Sequence, residues 1–353
     1  MIFVIMRSSF VKLSFKALSV VSLLAFLGAC KTDVKRFIDP ENTAYSEDVR
    51  SISKKINDSP KDAELYYKRS NTFFFEDLFA EAIADILVAI ELNPQVAFYH
   101  FKLAEYNMAS DTADAKAAER SYLKALELEP DMHEARLKYG ILLLAKQRYE
   151  ETVEQMKAIL NSNPSNPDAL FFLGMVNKET GDTLRAIDRF REVVDLNNTY
   201  YNAYMQLALL TLDSDPKLSL LYLDNALRID EFSDEAFYTK GLLLQRREEF
   251  SAAKEFYKRT LELNTGHRLT YFNLAFVETQ LGNIPRALEH LNSVLTIDPD
   301  YSEALHFRSA VWSSLNQWEA ALKDLQKALE LEPDNNEIKE DLERVQSALN
   351  RSE

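Results

Sequence analysis

The sequence predicts an all-α protein, a solenoid of about eight helix-turn-helix repeats closed by a capping helix at each end. Three observations predict it. Glycine and proline are scarce, 7 and 10 of 353 residues, which argues against the many tight turns of a β-rich fold and for long helices joined by short corners. The heptapeptide KALELEP stands twice, at 124–130 and at 327–333, 203 residues apart. Aligning the chain on its proline gives the marks Pro60, Pro94, Pro130, Pro164, Asn198, Glu231, Thr265, Pro299 and Pro333, spaced by 33 to 36 residues and mostly by 34. The two heptapeptides therefore hold one structural position in different copies.

Residues 1–29 stand apart from that body. Arg7, Lys12 and Lys16 precede the apolar run Ala17–Phe26, and LGAC follows, ending at Cys30. A basic stretch, a short apolar stretch and small residues before a cut make a secretory signal, too short to span a bilayer, which takes about 20 apolar residues. Cys30 is the one cysteine of the chain, so no intrachain disulfide forms. Leu27-Gly28-Ala29-Cys30 resembles the lipobox of bacterial lipoproteins, which implies that Cys30 carries a diacylglycerol and becomes the mature N-terminus. By that resemblance Lys31, in place of an aspartate, favours the outer membrane within the cell envelope. Removing residues 1–29 takes away three basic and no acidic residues, so the net charge goes from −15 to −18. Such a body repels phosphate backbones and anionic head groups, which argues against a nucleic-acid partner and leaves the lipid as the membrane attachment. Residues 30–45 form a tether, and residues 46–60 read as a half-repeat covering the N-terminal end.

Residues 61–333 are the repeats. Eight small residues recur ahead of the marks: Ser70, Ala104, Gly140, Gly174, Ala208, Gly241, Ala275 and Ser309. Twelve residues on in the regular copies comes a second small set: Ala82, Ala118, Thr152, Ala186, Ser219, Ala253, Ala287 and Ala321. Four residues beyond stand large apolar knobs: Ile86, Tyr122, Met156, Phe190, Leu223, Tyr257, Leu291 and Leu325. Small residues let two helices cross closely, and the knob of one fills the hole of the other. This pattern resembles the tetratricopeptide repeat family, which implies a right-handed superhelix of paired helices that binds protein partners. Asp131 with Glu134 and Asp300 with Glu303 have capping-box spacing, Asn166 precedes Pro167 as an N-cap would, and Gly181 and Gly282 fall in turns within repeats. The second repeat carries two extra residues within MASDTADAKAAERSY, and the fifth, at LDSDP, is one residue short. Residues 334–353 close the array with a charged helix.

No chemistry-bearing constellation is present in the sequence. The five histidines have no metal-ligand spacing, there is no phosphate-binding glycine loop or nucleophile elbow, and no long segment lies outside the repeats. The expectation is a protein with no catalytic residues, no cofactor and no metal. The family resemblance places ligand specificity on the first helix of each repeat. Its fifth position reads Tyr67, Phe101, Leu137, Phe171, Met205, Tyr238, Phe272 and His306, and its ninth includes Asn71, Ile141, Met175, Leu209, Leu242 and Phe276. From the third to the seventh repeat both are apolar, an i, i+4 stripe. Two readings stay open: a groove that takes an apolar segment of a protein partner, or a stripe buried between neighbouring helices. Function divides likewise between a lipid-anchored scaffold and a homodimer joined through the stripe. The fifth position holds no lysine, which argues against the carboxylate clamp that some family members use.

Overall fold

The computed structural model describes residues 42–109 and 114–352; among them are eighteen α-helices and no strand. The secretory segment, Cys30 and most of the tether lie outside the described residues, as does part of the second-repeat insertion. The chain divides by internal packing into two units, Met1–Pro94 and Gln95–Glu353.

In the first unit, α1 (Glu47–Asp58) packs on α2 (Ala63–Phe75), which pairs with α3 (Phe79–Leu92). Ser46 starts α1 by accepting a hydrogen bond from the Val49 N–H at 3.2 Å, and Asp62 starts α2 by accepting one from Glu64 at 3.0 Å. Ser70, Ala82 and Ile86 are buried where α2 and α3 meet. Beside them Arg69 donates to Asp85 through Nε at 2.5 Å and Nη2 at 2.9 Å, while its Nη1 reaches Ser53 Oγ in α1 at 3.0 Å. Both side chains of this pair are 1% exposed, so each buried charge is compensated by the other, with Ser53 beside the guanidinium.

The second unit repeats one hairpin seven times. α4 (Ala97–Ala109) pairs with α5 (Ala115–Leu128), α6 (His133–Ala145) with α7 (Tyr149–Ser162), and α8 (Pro167–Glu179) with α9 (Thr183–Leu196). Next come α10 (Tyr201–Thr211) with α11 (Pro216–Ile229), α12 (Asp234–Arg246) with α13 (Phe250–Leu263), and α14 (Arg268–Gln280) with α15 (Ile284–Ile297). Last are α16 (Ser302–Ser314) with α17 (Trp318–Leu331), and α18 (Asn336–Ser352), which lies on α17 and buries Ile338 and Val345. The short fifth repeat shows in α10, which has 11 residues where the other first helices have 13.

The size pattern read from the sequence is the packing of the hairpin. All eight knobs are buried. A methyl group added to Gly174 would lie 2.7 Å from Cε1 of Phe190, and one on Gly241 would lie 2.6 Å from Cε1 of Tyr257, so these rings rest directly on the glycine backbone. At Gly140 the neighbour is instead the terminal methyl of Met156, the flexible end of a side chain. The eighth repeat uses the same ion pair as the first: Arg308 donates twice to Asp324, both at 2.7 Å, and once to Asn292 of α15.

The helix starts correct one expectation. Asn166 does cap α8, accepting from the Ala169 N–H at 2.9 Å ahead of Pro167. The capping boxes at Asp131 and Asp300 do not form: the N-caps are Met132 and Tyr301, neither of which makes a side-chain cap bond. Each aspartate sits one residue too early, in the turn, and Asp300 pairs with Lys327 at 3.0 Å instead. Gly181 and Gly282 take left-handed φ of 84° and 77° as turn residues should, but Asp77, Gln147, Glu248 and Asn316 do the same job without being glycine.

Candidate functional site

The first helices of the hairpins carry the candidate positions. A hairpin hides whatever points at its second helix and leaves open what points away from it. One turn separates the fifth from the ninth residue, so both lie on one face of the helix and only packing can distinguish them.

The fifth positions turn inward. Phe101 is fully buried, its ring centroid 6.2 Å from the knob Tyr122. Phe171 is 8% exposed and packs against the knob Phe190 at 5.3 Å and against Tyr200 of the next repeat at 5.2 Å. Met205, 2% exposed, belongs to the same cluster as Leu223. Tyr238 is half-buried 5.9 Å from the knob Tyr257, with the His267 ring tilted against it at 4.8 Å and the Tyr238 hydroxyl accepting from Asn273 Nδ2 at 3.2 Å. Leu137 and Phe272 are half-buried against their own clusters, Phe272 edge-on to Tyr301 and Phe307. His306 is engaged by the closing helix, its Nε2 2.7 Å from an Asp341 carboxylate oxygen of α18. In the first unit Tyr67 and Asn71 are half-buried on α2.

The ninth positions stay at the surface. Ile141, Met175, Leu242 and Phe276 are half-buried, and Leu209 is 39% exposed. They stand on five first helices in succession, α6 to α14. The stripe therefore divides most sharply at Met205 and Leu209 of α10, while Leu137, Tyr238 and Phe272 are half-buried like most of the ninth positions.

Polar residues on the same helices went unread in the sequence. Lys178 donates from Nζ to Gln206 Oε1 at 2.7 Å, tying α8 to α10, and burial holds its ammonium below the usual lysine range. Glu235 of α12 acts on that lysine from two repeats on; burial first, then Asp234, pushes its carboxyl up. Arg246 of α12 pairs with Asp213 after α10. These partners lie 28 to 57 residues apart, so only an overlay of successive repeats on the ruler could have found them. Among the described residues no group of three His, Cys, Asp or Glu side chains is gathered to hold a metal ion, and no helix is long and apolar enough to cross a membrane.

Comparison with known proteins agrees with this geometry. The family model for the tetratricopeptide repeat matches residues 109–159 and 238–302. Proteins of this kind are generally non-catalytic and mediate protein–protein interaction. Among similar curated proteins, the DnaJ homolog subfamily C member 7 homolog of Schizosaccharomyces pombe is 24% identical over 347 residues, covering 82% of this chain and 68% of that protein. The protein O-mannosyl-transferase TMTC3 of Homo sapiens is 22% identical over 276 residues, 76% of this chain; the chain spans 29% of that relative's length. A solved tetratricopeptide repeat protein of Parabacteroides merdae shares the fold with a TM-score of 0.51 at 18% identity, over 71% of this chain and 99% of its own.

Proposed function

We propose that this chain is a non-catalytic scaffold, held to the bacterial outer membrane by a lipid on Cys30, that seats an apolar segment of another envelope protein along its ninth-position row. One observation carries the reading. Five large apolar side chains on successive first helices keep part of their surface open, Leu209 most of all, while Phe171 and Met205 at the fifth position are buried. Monomers seldom leave such a row in water without a use for it. Because these side chains are already half-buried, each has about 1 kcal/mol left to gain, roughly 5 kcal/mol in all before ordering costs. Binding through this row alone is weak, which suits an assembly factor that must also let go. The lipid anchor and the envelope location rest on the sequence of residues 1–31.

Two experiments test this reading. A photo-crosslinking residue at Leu209 in living cells is expected to yield an adduct with a second, different polypeptide. Adducts with another copy of the chain alone would point to self-association through the row, and none at all would overturn the groove. Separately, Cys30→Ser is expected to release the protein from membranes; retention after a high-salt wash would reject the lipid as its anchor.

A further inference from the structure

A cavity of about 420 Å³ opens between α16, α17 and the closing helix α18. Its apolar wall is made by Trp318 and Leu325 from α17 and Val345 and Ala348 from α18. Its polar groups are unequal. The Ser309 and Ser313 hydroxyls donate to backbone carbonyls of their own helix, at 2.6 and 2.8 Å, and are spent. Asp341 is engaged by both His306 and Arg344. Arg344 remains 74% exposed, and Arg351 donates from Nε to the Ser347 carbonyl at 3.0 Å. No carboxylate lies within ion-pair distance of Arg351 among the described residues. In a chain of net charge −15, this is an apolar pocket with two guanidinium groups on its rim, Arg344 beside the Asp341 carboxylate and Arg351 apart from it.

We propose that the cavity binds a short peptide segment of a partner in which large apolar side chains are flanked by acidic ones. Arg344 and Arg351 are seven residues apart on one helix, so their backbones stand about 10 Å apart at 1.5 Å per residue. The first and last residues of an extended tetrapeptide are separated by about the same distance. The apolar wall lies between the arginines, where the middle residues would sit; Arg351 can take one carboxylate, and Arg344 a second through the N–H groups it does not use on Asp341. The acidic body repels such a segment elsewhere, so the charge that keeps anionic chains off the rest of the surface directs them here. This site does not depend on the ninth-position row: Leu209→Ser leaves it intact, and failure at either site leaves the other standing.

The test uses the full chain with Trp312→Phe, which leaves Trp318 as its one tryptophan. Titration with the blocked peptide acetyl-Glu-Phe-Phe-Glu-amide is expected to change Trp318 emission saturably, and calorimetry of the same mixture gives a second readout should the indole be silent. Replacing both glutamates by glutamine, or introducing Arg344→Gln with Arg351→Gln, is expected to weaken binding at least tenfold. Ala348→Leu, which fills the cavity and keeps both arginines, is expected to weaken it as much. Equal affinity for the neutral peptide, unchanged binding by Ala348→Leu, or no signal by either method at millimolar peptide in the otherwise unaltered cavity would each overturn the proposal.

Discussion

The fifth and ninth residues of each first helix stand one turn apart on the same side, and between the third and seventh repeats both are large and apolar. Their surroundings nonetheless differ. Phe171 and Met205 are 8% and 2% exposed, whereas Leu209 is 39% exposed. Phe171 packs on the knob Phe190, and Met205 shares a cluster with the knob Leu223, which is what buries them. Hydrophobicity by itself therefore does not separate core from binding surface in such a repeat; the position relative to the knob does.

Breaking the inner row should cost most. Phe171→Ala removes a ring held between Phe190 and Tyr200, and about 3–5 kcal/mol of stability is expected to go, read as a lower denaturant midpoint. A loss under about 1 kcal/mol would mean that the fifth position is not core. A smaller effect tests the floor on which the knobs rest. Gly174→Ala must displace the Phe190 ring, with an expected loss of about 1–3 kcal/mol even though alanine is the better helix former. Gly140→Ala needs only a methionine methyl to swing aside and should be close to neutral, so equal costs at the two glycines would contradict the packing described.

A third effect is on the pH axis. His267 caps α14 through Nδ1, which accepts from the Thr270 N–H at 3.2 Å, and its ring covers the inner-row Tyr238. Burial, partly offset by Asp234, holds the imidazole below its usual value of 6.5, so the folded state favours the neutral ring. The unfolded chain then binds more protons as pH falls: the stabilisation is full above about 6.5 and is lost as pH drops through the lower folded value. About 1 kcal/mol or less is at stake, the size of one N-cap. His267→Asn, a cap that does not titrate, should flatten the contribution of this site, and an unchanged slope in thermal melts between pH 7 and 5 would rule it out. Least of all, Leu209→Ser in the outer row should move the denaturant midpoint by under about 1 kcal/mol.

The hairpin itself was legible in the sequence because a size constraint recurs eight times: small at Gly174 and Ala186, large at Phe190, and likewise in every copy. The division of the stripe was harder to read, since helical periodicity alone puts the fifth and ninth residues on one face. A partial signal did exist: Phe171 with Phe190 and Tyr238 with Tyr257, nineteen residues on, pair an aromatic fifth residue with an aromatic knob, although Tyr67 and Phe272 are followed by the aliphatic knobs Ile86 and Leu291. The capping boxes misled because Asp131 and Asp300 have the right spacing but begin one residue before the helix does. Contacts such as Lys178 with Gln206, and the cavity under α18, join residues of different repeats and have no local spacing to announce them.

Thiol labelling separates the two rows most directly. In a Cys30→Ser background the full chain has no other cysteine, so Leu209→Cys and Met205→Cys each present a single thiol, four residues apart on α10. The cysteine at 209 is expected to react with a maleimide at nearly the rate of a free thiol under native conditions, and the one at 205 only once denaturant opens the repeat. Equal protection at both positions would mean that the outer row is covered in the free protein, and equal reactivity would mean that the inner row is not core; either result contradicts the division between core and binding face.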